Sequence, residues 1–105
     1  MSAYLIVDAK ITDPVKFMAY VGATSALVEK FGGKYLVQGG GEMECLEGIP
    51  FVGKAVISEW SDRAAALAFW HSPQYTEARK LRVGNCVASV TLVDGINAEP
   101  LKVTS

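Results

Sequence analysis

The sequence predicts an α+β domain in which four strands form one antiparallel sheet and two helices pack on one face of it. Three observations lead to this prediction. Four segments are rich in β-branched and aromatic residues and are bounded by turn residues. Two longer segments begin with the aspartate, serine and proline residues that start helices. The segments follow one another in the order strand, helix, strand, strand, helix, strand.

The first strand and the first helix have clear local signals. Residues Ala3–Ile11 predict a strand because β-forming side chains predominate there. Asp13 and Pro14 predict a helix start, since aspartate accepts hydrogen bonds from free amides and proline needs no amide partner in the first turn. Apolar or small side chains then recur at helical spacing, at positions 17, 21, 24, 28 and 31. Gly32-Gly33 ends the helix.

The two middle strands are separated by a glycine-rich stretch. Lys34–Gln38 predicts the second strand, which the three glycines 39–41 interrupt. Residues Glu42–Leu46 suggest a strand-like extension, and the turn residues that follow lead into the third strand, Gly53–Trp60.

The second helix is expected to be broken. Asp62 starts it and the alanine-rich segment Arg63–His71 continues it. Ser72-Pro73 then interrupts the pattern, because proline cannot donate to the helix and serine prefers a cap. Helical residues resume at Gln74–Val83, and Cys86–Val93 predicts the last strand. We therefore expect one domain over residues 1–95 and a C-terminal tail over residues 96–105.

This order is the ferredoxin-like β-α-β-β-α-β arrangement, and its strands predict a homodimer. Segments such as Ala55-Val56-Ile57 and Val87–Val93 are apolar or small on both sides, whereas two helices can cover one face only. Leaving several such side chains in water costs about 1.5–3 kcal/mol each. A second copy packed on the open sheet face removes this cost, and the alternative is a monomer whose tail covers that face. A charge at Val90 or Leu92, whichever faces the open side, is expected to dissociate the dimer.

Composition and charge exclude several classes of partner. Ten basic and eleven acidic residues give a net charge of −1. The sequence has no basic stripe that would attract phosphates, so nucleic acid is not expected as a partner. The apolar run Ala3–Val7 is too short for a signal peptide or a membrane span. Cys45 and Cys86 match neither a metal nor a redox motif. We expect two reduced thiols, a cytoplasmic location, no membrane partner, no metal and no cofactor.

Four residues around the break in the second helix are candidate ligand-binding residues. His71, the one histidine, can act as a general base near neutral pH or lie solvated at a helix end. Tyr75 and Arg79 share a helix face with Arg82 and can orient a carboxylate or an enolate, or they can simply pack and pair with acidic residues. Trp60 can form the wall of a pocket or lie in the core. No catalytic residue is assigned.

The expected pocket lies between the helices and the sheet, near the junction of the third strand and the second helix. The break at Ser72-Pro73 is expected to leave backbone amides free for an anionic group. The ligand is then small, partly apolar and carries one carboxylate or enolate oxygen. Substituting His71 by alanine or Tyr75 by phenylalanine is expected to weaken its binding.

Three functions remain open at this point. The chain can be a homodimer that binds a small molecule, a cofactor-independent oxygenase or isomerase acting on an enolisable or aromatic compound, or a structural or regulatory dimer without a ligand. A formed pocket favours the first two functions over the third, and a group placed to remove a proton favours the enzyme.

Several segments together resemble a bacterial family of uncharacterised proteins. They are Ala3–Val7 with Thr12-Asp13-Pro14, then 32–40, and above all 61–70 followed by Ser72-Pro73-Gln74-Tyr75. The combination is similar to the domain-of-unknown-function family numbered thirteen-thirty, in the dimeric α/β-barrel superfamily, over about residues 3 to 95. Gln38 departs from the family, where arginine is expected in many members.

The resemblance implies the fold and the dimer, and it implies no established activity. The wider superfamily includes cofactor-free oxygenases, isomerases, haem-degrading enzymes and amino-acid-sensing domains, so the fold alone does not choose among them. In the haem-degrading relatives the histidine that binds iron lies within the second helix. That position aligns here with Arg79, whose side chain is not expected to bind iron, so the resemblance argues against haem.

Overall fold

The computed structural model describes residues 1–96, so the predicted tail lies outside the described residues apart from Ile96. The elements are β1 (Ala3–Ile11), α1 (Pro14–Lys30), β2 (Lys34–Gln38), β3 (Lys54–Trp60), α2 (Arg63–Trp70), α3 (Pro73–Arg79), a short 3-10 turn (Lys80–Arg82) and β4 (Cys86–Asp94). The predicted α+β class with a four-stranded antiparallel sheet is confirmed. Within residues 1–96 no helix is long and apolar enough to cross a membrane.

The strands lie in the order β2-β3-β1-β4, and every neighbouring pair is antiparallel. In β1 the odd-numbered residues face the helices, and Ala3, Leu5 and Ala9 are buried there. Leu5 pairs with Ser58 of β3 and with Leu92 of β4, so these residues cross the same face of the sheet in one row. The even-numbered residues of β1 lie on the opposite face, which no helix covers.

The position of Leu92 corrects one expectation about β4. Val90 and Leu92 both pack against the core on the helix side, because residues two apart in a strand share a face. The residues of β4 on the open face are the odd-numbered ones, including Val87 and Val93, whose exposed fractions are 66% and 40%. The expectation that either Val90 or Leu92 faces the open side is therefore wrong.

The helices begin where their capping residues predict. The Asp13 carboxylate accepts a hydrogen bond from the Lys16 amide at 3.2 Å, and the Asp62 carboxylate accepts one from the Ala65 amide at 2.8 Å. Gly32 follows α1 with a φ of 85°, a conformation that glycine adopts without strain.

The break in the second helix is confirmed. Helix α2 ends at Trp70 and α3 begins at Pro73, with Ser72 as its cap. The Ser72 hydroxyl donates to the Phe69 carbonyl at 2.8 Å and accepts from the Tyr75 amide at 3.1 Å. The second piece is shorter than expected, since α3 ends at Arg79 and the chain continues as a 3-10 turn.

The predicted strand-like extension at Glu42–Leu46 is not present. Residues 39–53 form an exposed loop, because β2 is already the edge of the sheet and its other side offers no strand to pair with. The loop is held near its end by Asp8 of β1. The Asp8 carboxylate accepts hydrogen bonds from the Val52 amide at 3.0 Å and from the Gly53 amide at 2.8 Å.

A buried aromatic cluster lies at the end of the sheet where β3 finishes. Trp60, with an exposed fraction of 1%, stacks on Phe69 with 4.9 Å between the ring centroids and an interplanar angle of 28°. The Trp60 indole N–H donates to the Ser58 hydroxyl at 2.9 Å. Gly33 lies against this ring so closely that a Cβ added to it would be 2.6 Å from Trp60 Cη2.

Candidate functional site

A cavity of about 340 Å³ lies between α1 and the helix-facing side of the sheet. This volume is within the usual range for small-molecule sites. Most of its wall is aliphatic or aromatic and comes from all four strands and from the helices. The apolar lining includes Leu5, Val7, Val21, Val28, Val56, Phe69, Ala88 and Val90.

The polar part of the wall is centred on two tyrosines. The hydroxyls of Tyr20, from α1, and Tyr75, from α3, are 2.9 Å apart and share a hydrogen bond. Tyr75 is held in place by Phe69 and Trp70, whose ring centroids lie 4.5 and 5.2 Å from its own. Burial, with the neighbouring Tyr75, raises the pKa of Tyr20 well above its usual value, so the Tyr20 hydroxyl keeps its proton at physiological pH.

Arg82 completes this polar group, which we call the tyrosine–arginine pole (Tyr20, Tyr75 and Arg82). Its guanidinium carbon lies 5.6 Å from the centroid of the Tyr20 ring, within the range of a cation–π contact. Burial alone would lower the pKa of Arg82, but Tyr75 and Tyr20 outweigh that effect and the pKa is raised. Arg82 therefore carries its charge in a half-buried place beside two hydroxyls.

Thr24 and Cys86 add two further polar groups to the wall. The Thr24 hydroxyl oxygen is buried and has no hydrogen-bond partner among residues 1–96, an arrangement that is uncommon and that a bound molecule would satisfy. Burial raises the pKa of the Cys86 thiol, although Arg82 opposes this effect. Cys86 is therefore not an activated thiolate.

The cavity also reaches the edge of the sheet, at Gln38, Gly39, Gly40 and Lys54. Gly39 has a φ of 74°, and a Cβ added to it would be 3.1 Å from Cβ of Lys54. The backbone of Gly39 thus lies against the aliphatic stem of Lys54. Because Lys54 is exposed, this edge is where the cavity meets solvent.

The charges of the lining are all of one sign. Lys54 and Arg82 are its two cationic side chains, and the described lining contains no aspartate, glutamate or histidine. The ion pairs found within residues 1–96 join Arg63 to Asp94 and Lys80 to Glu77, and neither involves the cavity. A cavity with this lining favours a ligand that carries negative charge.

Of the four candidate ligand-binding residues, Tyr75 alone lines the cavity. Trp60 lies in the core, because its ring fills the space between Gly33 and Phe69. His71 is exposed at the C-terminal end of α2, where its amide bonds to the Leu67 carbonyl. The guanidinium carbon of Arg79 lies 5.0 Å from the centroid of the Trp70 ring, so Arg79 covers that ring from outside the cavity.

The break between α2 and α3 leaves fewer free amides than expected and none at the cavity, since Gln74, whose amide the Ser72 cap does not reach, is exposed and outside the lining. The Tyr75 amide is satisfied by the Ser72 hydroxyl, and the Thr76 amide bonds to the Ser72 carbonyl at 3.0 Å. Pro73 has no amide hydrogen. The break serves instead to turn Tyr75 towards Tyr20. Within residues 1–96 no three histidine, cysteine, aspartate or glutamate side chains cluster as a metal site would require.

The other residues of the site have weaker signals in the sequence. Tyr20 and Tyr75 are 55 positions apart, and nothing local shows that they meet. The spacing of Tyr75, Arg79 and Arg82 predicts one shared helix face, and it is Arg82, rather than Arg79, that lines the cavity with Tyr75. Lys54 begins a strand, so its position at the mouth depends on which face of the sheet the helices cover.

Solved structures share this fold at low sequence identity. RPA0582, a protein of unknown function from Rhodopseudomonas palustris, matches with a TM-score of 0.70 and 19% identity over 91% of this chain and 83% of that one. Its methylated form matches with a TM-score of 0.67 and 19% identity, over 94% and 84% of the two chains. SnoaB, a cofactor-independent oxygenase from Streptomyces nogalater, matches with a TM-score of 0.65 and 11% identity, over 95% and 98%.

The sequence comparisons identify one protein family and no curated protein. No curated protein matches the chain. The model of one protein family, a domain of unknown function, matches residues 2–96, which includes every segment on which the resemblance was noted. The chain therefore belongs to the family of unknown function DUF1330.

Proposed function

We propose that this protein binds a small, largely apolar molecule in the cavity between α1 and the sheet. The observation that supports this most directly is the cavity itself, with an apolar wall and one cluster of polar groups at Tyr20, Tyr75 and Arg82. A collapsed interior would instead favour a structural or regulatory dimer without a ligand. The volume leaves room for roughly ten to fifteen non-hydrogen atoms.

The ligand carries at least one oxygen that meets the tyrosine–arginine pole. A hydroxyl, an enolate or a carboxylate can accept from the guanidinium of Arg82 and from a tyrosine hydroxyl. The unpartnered hydroxyl of Thr24 offers one more hydrogen bond. An apolar body of the ligand would pack on side chains such as Val56 and Val90.

The binding proposal is tested with p-propylphenol as a probe, measured by calorimetry. Ala88 lines the cavity from β4, so replacing it with valine and then with phenylalanine fills the space in two steps. We expect affinity to fall in the same order while the circular dichroism spectrum is unchanged. Equal affinity of all three proteins for the probe would contradict the proposal.

Two further substitutions separate the candidate residues. Tyr75→Phe removes a hydroxyl from the cavity, and we expect it to weaken binding of p-propylphenol about three- to tenfold. His71→Ala changes an exposed residue outside the cavity, so we expect no effect, in contrast to what the sequence alone predicted. A loss of affinity with His71→Ala and none with Tyr75→Phe would place the site elsewhere.

A second candidate function is a cofactor-independent oxygenase or isomerase acting on an enolisable or aromatic compound. The pole favours it, because a guanidinium beside two hydroxyls is suited to stabilise an enolate oxygen. The similarity to SnoaB is compatible with it but concerns the fold only. Against it, the described lining holds no histidine or carboxylate to remove a proton at neutral pH.

The enzyme hypothesis is tested by proton exchange. β-Tetralone, an enolisable ketone, is incubated with the protein in deuterium oxide, and the loss of its α-proton signal is followed by nuclear magnetic resonance. An enzyme that stabilises the enolate accelerates the exchange, and Arg82→Gln abolishes the acceleration. Exchange at the rate of buffer alone favours binding without this chemistry.

We also propose that the chain forms a ferredoxin-like dimeric α/β barrel through the open face of the sheet. The strand order β2-β3-β1-β4 and the two split β-α-β units support this fold. On the open face Val37 pairs with Ile57 and Ile57 pairs with Ile6, which gives an apolar row across three strands. Light scattering should give about twice the chain mass of 11.2 kDa.

The matched variants for the dimer are Ile57→Glu, on the open face, and Lys30→Glu, at the end of α1. The first buries a charge in the proposed interface and should dissociate the dimer, while the second should not. A monomer for the unsubstituted protein would contradict the dimer proposal and would leave the cavity proposal in place.

A further inference from the structure

We infer that the natural ligand is a two-ended anion: an aromatic or alicyclic carboxylate that carries a hydroxyl or enol oxygen at its opposite end. This inference rests on the proposed function and specifies the ligand of that same site. It is drawn from the placement of the two unpaired cations of the lining, Lys54 and Arg82.

The two cations lie on different sides of the cavity. Lys54 of β3 pairs with Ala9 of β1, which in turn pairs with Ala88 of β4. Two strand spacings, about 10 Å, therefore separate the strand of Lys54 from β4, the strand that Arg82 precedes. A molecule with a polar group at each end is suited to reach from the strand of Lys54 to the side of the cavity where Arg82 lies.

The lining contains nothing that would neutralise these charges. Neither cation has a carboxylate partner within residues 1–96. The chain as a whole has a net charge of −1, so the excess positive charge is a local property of this cavity. Arg82 lies over the Tyr20 ring but has no carboxylate partner within residues 1–96, so its half-buried charge favours a complementary anion in the cavity.

The chemistry of each end indicates which group it accepts. The ammonium of Lys54 has donors only and is exposed at the mouth, so it suits a carboxylate that stays partly hydrated. Tyr20 and Tyr75 already share one hydrogen bond, and between them they retain one hydrogen to donate and lone pairs to accept. This combination suits a ligand hydroxyl, which both donates and accepts. The charge of Arg82 would favour the ionised form of that ligand hydroxyl.

Three probes of similar size separate the two ends. p-Coumarate has both groups, cinnamate has only the carboxylate, and p-propylphenol has only the hydroxyl. Calorimetry should rank p-coumarate as the tightest of the three. Its absorption band should move to longer wavelength on binding if Arg82 stabilises the phenolate, and Arg82→Gln should remove this change.

Two substitutions then act on opposite ends. Lys54→Met keeps the aliphatic stem that packs on Gly39. It should lower the affinity for p-coumarate and cinnamate about three- to fivefold at low salt and leave the affinity for p-propylphenol unchanged. Tyr75→Phe should lower the affinity for p-coumarate and p-propylphenol about three- to tenfold and leave the affinity for cinnamate unchanged. Lys30→Met, the same chemical change outside the cavity, should change none of the three.

The outcomes separate the two-ended ligand from the binding cavity itself. If p-propylphenol binds as tightly as p-coumarate, or if Lys54→Met affects all three probes alike, the two-ended ligand is refuted and the binding cavity is retained. If none of the three probes binds, the proposed function fails and the inference fails with it.

Discussion

Gly33→Ala is predicted to destabilise the protein because of one contact with Trp60. The backbone of Gly33 does not have a positive φ, so alanine fits its conformation and the effect comes from the methyl group alone. That methyl carbon would lie 2.6, 2.7 and 2.9 Å from three atoms of the Trp60 ring. These distances are well inside van der Waals contact, so the ring has to move.

The ring has little freedom to move. Its N–H is bonded to the Ser58 hydroxyl and its face is stacked on Phe69. Overpacking of this kind costs about 1–3 kcal/mol. For a chain of this size each kcal/mol lowers the melting temperature by about 4–8 °C.

Gly22→Ala is the matched control. It makes the same chemical change in the interior of α1, where an added Cβ has nothing within 4 Å. Replacing a helical glycine with alanine stabilises by about 0.5–1 kcal/mol. Calorimetric melting should therefore move in opposite directions for the two variants. If Gly33→Ala has the same melting temperature as the unsubstituted protein, Trp60 is not fixed in the core and is free to form the wall of a ligand pocket, as the sequence suggested.

Three further predictions concern single side chains. The pKa of Tyr20 is raised in the folded state, so its contribution to stability is complete below pH 10 and is lost as the pH rises above that value, because Tyr20 ionises first in the unfolded chain. In denaturant unfolding at alkaline pH, the free energy of unfolding should therefore fall less in Tyr20→Phe than in the unsubstituted protein. Asp8→Ala removes the acceptor of the Val52 and Gly53 amides, so hydrogen exchange at these two amides should accelerate, and an unchanged rate would show that the loop holds itself. Ser72→Ala removes a buried cap and should cost about 1–2 kcal/mol in chemical denaturation, whereas a cost near zero would mean that Pro73 alone fixes the break.

The helix and strand boundaries were largely predictable because their signals are local. Asp13 and Pro14 mark the start of α1 in sequence and in space, since a cap needs only neighbouring amides. The break at Ser72 and Pro73 is equally local. The extension at Glu42–Leu46 was the exception: a strand needs a partner, and whether one is available is not a local property.

The candidate site was less predictable, for two reasons. Trp60 looked like a pocket wall because it ends an apolar strand, but its exposure depends on how Gly33 and Phe69, which lie outside that strand, pack against it. His71 and Tyr75 bracket the same break, yet α2 ends with His71 outside while α3 turns Tyr75 inward. Sequence proximity placed these residues in one region and could not separate the side that faces the cavity from the side that faces solvent.

The sequence by itself determined the α+β class, the capped and broken helices, and the membership of a family whose pattern the chain carries. Those properties depend on short-range hydrogen bonding, backbone preference and hydrophobic period. Only the tertiary structure decided that Tyr20 meets Tyr75, that Arg82 joins them and that Lys54 stands at the mouth. These contacts arise because α1 and α3 pack side by side over the same face of the sheet, and the distance along the chain carries no information about that packing.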